Sequence, residues 1–249
     1  MAKPRHLPHA PITEALIDIQ VVPRDNLTFI ELRDAISGSD FGYYVKNPIS
    51  EGTFGFMLTS DGMQPQTTAQ ASQTGLRLHS QDEKYVAQFR LSGFTLSRLP
   101  PYEEWPSLIL ETKRLWTVYA DRLLPKQVTR IATRFINNLQ LPMNRGESYQ
   151  KYLNKFVDVP DETPQAVASF LQRFHLVDID GNASVILTLA LDNAQPGERV
   201  PVTLDIDAFK VVDLELPAQR LWEILEEMRA LKNRSFFGTI TETTAGLYE

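Results

Sequence analysis

Cysteine is missing from all 249 residues. Its absence excludes a disulfide framework, a thiolate-bound metal and a cysteine nucleophile. No apolar run approaches the roughly 18 residues of a membrane helix, and the opening MAKPRHLPHAPI lacks an apolar signal-peptide core. A cytoplasmic protein without a membrane partner is therefore expected. Glycine is sparse and scattered, and GTFG at 52–55 resembles neither a phosphate-binding loop nor a dinucleotide turn. His6, His9, His79 and His175 lack the i, i+4 spacing of a helical metal pair, and the first two fall in a proline-rich extended stretch read as a solvated terminus. Neither a metal nor a cofactor is expected. Positive charge is not in excess: the net charge of -6 argues against wrapping a polyanion.

What is present is globular material. With 43% hydrophobic and 22% charged residues, the chain can offset its conformational entropy by burial, in one large domain or two lobes. After Pro4, Pro8 and Pro11, the residues Ile17, Ile19 and Val21 alternate with Leu16, Asp18 and Gln20, which predicts a strand. Thr28 and Glu31 form a capping box, and Phe29, Leu32 and Ile36 recur at helical spacing up to Gly38. Strands are predicted over 51–59 and 74–98, interrupted by a polar mobile loop at 60–75. Trp105, Leu108, Ile109, Trp116, Tyr119 and Leu123 mark one face of a long helix entered through Pro100 and Pro101. Residues 128–142 alternate as a long strand.

Further strands are expected at 170–179, 184–191 and 200–214, with turns at Gly181–Asn182 and at 193–198, then a helix over 217–232. The closing SFFGTITETTAGLYE reads as a docked strand, too apolar for a free tail, with two destinations open: the chain's own sheet, or an edge or groove of a second copy or a partner. Both long helices follow an L-P-x4-W pattern, LPPYEEW at 99–105 and LPAQRLW at 216–222. Two readings remain open: an internal duplication, or coincidence, because proline commonly starts helices. The expected fold is α+β, with mainly antiparallel sheets packed by helices on one face. A boundary in the polar stretch 143–164 divides the chain into an N-terminal half, 1–143, and a C-terminal half, 144–249.

PITEA at 11–15, RIATRFIN at 130–137 and FGTIT at 237–241 together resemble a sporadically distributed family of uncharacterised bacterial proteins of about this length. Ala132 and Thr133 stand where that family usually has Gly-Leu, and Phe135 where it usually has tyrosine. The resemblance supplies no activity, cofactor or catalytic residue. Its patchy distribution implies an association with mobile defence or toxin-antitoxin loci.

Glu14 and Asp18 interrupt an apolar strand. Four strand residues span about 13 Å, too far for a carboxylate catalytic pair at roughly 5–9.5 Å. Arg130 and Arg134 share one face of the 128–142 strand at the same i, i+4 spacing, with Asn138; Asn137 lies on the opposite face. If the two strands are neighbours, the acids become counter-ions for the arginines; the other reading is an anion-binding face. Lys113, Arg114, Arg122 and Lys126 extend the basic run beside Trp116 and Tyr119. Basic and aromatic residues together suit single-stranded nucleic acid, but a core-facing aromatic stripe with a solvated back is favoured. The function expected is a non-enzymatic cytoplasmic interaction or accessory protein that binds another protein or a second copy of itself. The alternative is binding of nucleic acid or an anionic small molecule through Glu14, Asp18, Arg130, Arg134, Asn137 and Asn138; a hydrolase built from scattered residues stays open.

Overall fold

The computed structural model describes residues 1–37, 41–51, 55–59, 62–66, 72–144, 147–154, 160, 162–164, 167–191 and 199–249. Among these, the order is β1 (Ile12–Val22), α1 (Phe29–Ser37), β2 (Tyr43–Glu51), β3 (Gly55–Thr59), β4 (Gly62–Gln66), β5 (Ser72–Ser80), β6 (Tyr85–Arg90), β7 (Gly93–Arg98), α2 (Trp105–Leu123), β8 (Gln127–Leu141), β9 (Phe170–Asp178), β10 (Ala183–Leu191), β11 (Val200–Glu215), α3 (Arg220–Thr239) and α4 (Glu242–Ala245). Nine strands make one antiparallel sheet in the order β2-β5-β6-β7-β1-β8-β11-β10-β9, and β3 pairs with β4 alone. The fold is α+β.

Alternation decides the two faces of the sheet. Ala15, Ile17 and Ile19 of β1, Ile131, Phe135 and Leu139 of β8, and Leu204 and Ile206 of β11 are buried. They form one core with Leu108, Leu115 and Tyr119 of α2 and Leu221, Leu225 and Met228 of α3. The capping box forms: the Thr28 and Glu31 backbone amides donate to the side chains of Glu31 and Thr28 at 2.9 and 3.3 Å. Trp116 and Tyr119 are buried and stacked, 5.4 Å between ring centroids. The basic run beside them is engaged elsewhere: Arg114 bonds Glu111, Arg122 donates to the Ala35 carbonyl, and Lys126 pairs with Asp25. The aromatic stripe belongs to the core.

Apart from β2, which adds an edge strand beyond β5, the sheet order is symmetric about the central β1–β8 pair. On one side lie β7, β6 and β5, a meander that leads into α2; on the other lie β11, β10 and β9, a meander that leads into α3. Each L-P-x4-W stretch sits at the corresponding strand-to-helix junction, and each contains a cis peptide bond, Pro100–Pro101 and Leu216–Pro217. The two flanks thus repeat one order of elements, β5-β6-β7-α2 and β9-β10-β11-α3.

Two expectations need correction. Within the polar stretch 60–75, residues 62–66 are β4 and residues 72–75 open β5; the remainder, like the turn at 193–198, lies outside the described residues. The C-terminal stretch is not a strand. α3 continues to Thr239, and α4 and a 3-10 turn follow. The alternation of Phe237 and Thr239 with Phe236, Gly238 and Ile240 misleads because both faces of this helix end are covered, so burial there is not periodic. The stretch docks within the chain, as an apolar tail should. The Ala2 amide donates to the Phe237 and Ile240 carbonyls, His9 N to the Tyr248 carbonyl, and Tyr248 Oη accepts from Gln140 N at 3.0 Å. The N-terminal segment is thereby anchored at Ala2 and Leu7, both buried, although His6 and His9 are exposed.

Candidate functional site

β1 and β8 are antiparallel neighbours, with Leu16 opposite Arg134 and Asp18 opposite Ala132. Asp18, Arg130 and Arg134 therefore share the face of the sheet opposite the helices. Asp18 accepts from Arg130 at 3.1 Å, from Arg90 of β6 at 2.6 Å and from Thr95 of β7 at 2.7 Å. Arg130 also donates to Asp207 of β11 at 2.7 Å, and its guanidinium lies 4.4 Å from the Phe209 ring centroid. A chain of charges thus crosses five strands, β6, β7, β1, β8 and β11.

The pairing of Glu14 with Arg134 is a different matter. Arg134 binds Asp205 of β11 with both Nε, at 2.8 Å, and Nη2, at 2.5 Å, in a bidentate fork. Glu14 adds to the field that favours the charged guanidinium but forms no ion pair among the described residues. Equal spacing misassigned one partner because β8 has two neighbours, and β11 brings its own acids, Asp205 and Asp207, to the same face. The D-I-D alternation in Thr203–Phe209 was the available signal. Burial holds the carboxyl of Asp207 above the usual carboxylate range, with Arg130 and Arg134 pulling it back. Asn138 is exposed and accepts from Gln140 at 3.0 Å. Asn137 is on the helix side, buried, and donates to the carbonyls of Phe135 and Leu204.

Three arginines, Arg90, Arg130 and Arg134, thus face three aspartates, Asp18, Asp205 and Asp207. Every one of these guanidinium groups is engaged by carboxylate, so an incoming phosphate would have to displace an internal partner. Such a cluster binds strands to one another in a fixed register.

The far edge of the sheet has another character. Among the described residues, β9 pairs with β10 and forms the other edge of the sheet. Leu171, Phe174, Leu176 and Val177 are exposed along it, at 71, 41, 47 and 65%, and Ile179 just beyond is exposed at 85%. Between Arg173 and Asp178, the strand has no proline, bulge or row of lysines to blunt it. The apolar residues occupy both faces, so neither face of β9 is used fully by the core. No family model and no curated protein matches the chain.

Proposed function

We propose that the chain is a non-enzymatic interaction or accessory protein of the cytoplasm that binds another polypeptide, a second copy or a different chain, by strand addition at β9. One observation carries the reading: β9, an edge strand among the described residues, exposes Leu171, Phe174, Leu176 and Val177, and Ile179 just beyond it is exposed as well. Exposed edges of this kind are a hazard that soluble proteins usually suppress, unless pairing is their use. Strand addition supplies backbone hydrogen bonds for affinity, and Leu171, Phe174, Leu176 and Val177 supply side-chain contacts for selectivity. The arginine-bearing strand offers weaker support for binding nucleic acid or a small anion, since its charges are already neutralised within the sheet.

Val177→Lys tests the reading. The site is exposed, so the lysine leaves the core intact while charging the edge. Light scattering on the purified protein, and affinity capture from the native host, are expected to show a dimer or a bound protein for the wild type that Val177→Lys loses. A monomeric wild type that captures nothing, or an assembly indifferent to Val177→Lys, refutes the proposal.

A further inference from the structure

We propose that the cavity lined by the N-terminal segment, the loop before α2, β8 and α3 is a binding site for a small amphipathic carboxylate whose counter-charge is Lys232. The cavity measures about 530 Å³, within the range that holds a small molecule. Its walls include Leu7, Ile12, Trp105, Phe135 and Phe236. Beside these apolar side chains the lining carries Asn137, Asn233 and several charged groups, among them one buried lysine. Lys232 is only 8% exposed, and its Nζ lies 3.7 Å from the centroid of the Phe135 ring. Among the described residues it has neither a hydrogen-bond acceptor nor a carboxylate within ion-pair distance.

The other charged groups around the cavity are paired with opposite charges, except Glu104, whose partner is a hydroxyl. Arg5 pairs with Glu242 and Glu249, Arg229 with Glu226, and Glu103 with Arg98, while Glu104 accepts from Ser107. His6 and Tyr102 complete the titratable lining. Lys232 is thus a buried cation without an anion, the arrangement that desolvation penalises most. Burial, reinforced by Arg229, pulls its pKa down to about 7. A methionine would fill the same space at no such cost, so the lysine points to a guest. A single ammonium matches one carboxylate better than a phosphate, which needs more donors, and the aromatic and aliphatic walls match an apolar body.

Octanoate and phenylacetate serve as probes, titrated calorimetrically at pH 8 in two buffers of different ionisation enthalpy. The wild type is expected to bind at least one of them at 1:1 with uptake of a proton, because the arriving carboxylate restores the charge of Lys232. Lys232→Met, shown to be folded by its thermal transition, is expected to bind at least tenfold more weakly and without proton uptake. The proposal is overturned if neither probe binds the wild type, if binding takes up no proton, or if Lys232→Met binds within twofold of the wild type.

Discussion

Lys232→Met should make the protein more stable, and by an amount that depends on pH. In the unfolded chain the amine titrates at its ordinary value of 10.5; in the folded protein it titrates at about 7. Between those values the unfolded state binds more protons, so folding stability gains as pH rises through that window. Below pH 7 the amine is charged in both states and the whole desolvation cost is present. A difference of about 3.5 pKa units at about 1.4 kcal/mol each sets the cost at roughly 5 kcal/mol. Methionine replaces the lysine stem with a thioether of similar length and keeps the contact with Phe135. Urea denaturation at pH 6, 7.5 and 9 should therefore show the variant ahead by several kcal/mol at pH 6, with the advantage shrinking steadily towards pH 9. His79 and Asp207, whose pKa values are also displaced, are common to both proteins and cancel in the difference. A variant less stable than the wild type at pH 6, or a difference that does not vary with pH, would refute the reasoning.

Three further expectations concern the sheet and its ends. Arg130→Met removes the shared partner of Asp18 and Asp207 and should cost about 3 kcal/mol, whereas Lys126→Met breaks only an exposed pair and should cost under about 1 kcal/mol; equal denaturant midpoints would contradict the internal counter-ion reading. Gly93→Ala would put a Cβ 2.4 Å from the Ile19 carbonyl oxygen, so a drop in melting temperature is expected, and an unchanged one would show that β1 and β7 can separate locally without penalty. Removing residues 241–249 deletes the buried Ala245 and Tyr248 and the hydrogen bonds of Tyr248 with His9 and Gln140; a truncated protein that melts with the full chain would show this docking to be energetically idle.

Periodicity exposed much of this architecture. The alternation in Ile17–Val21 and in 128–142 located the two central strands, and the Thr28–Glu31 box located the start of α1. It could not reveal which strand lies on the far side of β8, because strand order depends on long-range pairing rather than local pattern. The equal spacing of the two acids and two arginines therefore could not indicate that Arg134 takes Asp205 of β11. The strand Tyr43–Glu51 escaped notice for a related reason: at the sheet edge its side chains are mostly exposed, so no apolar alternation marks it. Lys232 was legible in principle. Leu225, Met228 and Phe236 mark the buried stripe of α3, and a lysine at 232 falls on that stripe at helical spacing, where a reader who expects lysines in solvent passes over it.

The central place of the β1–β8 pair has a kinetic consequence. β1 leads the chain, yet its second neighbour is more than a hundred residues away, with Ile19 opposite Ile131. Until residue 141 has been made, β1 can pair only with β7, and its other edge stays open with Asp18 turned towards an arginine that has not yet arrived. Contacts of such sequence separation are closed late and slowly. During synthesis, the first 124 residues therefore carry an incomplete sheet edge in the very middle of the future structure, and the arrival of β8 both seals that edge and supplies the template on which β11 assembles.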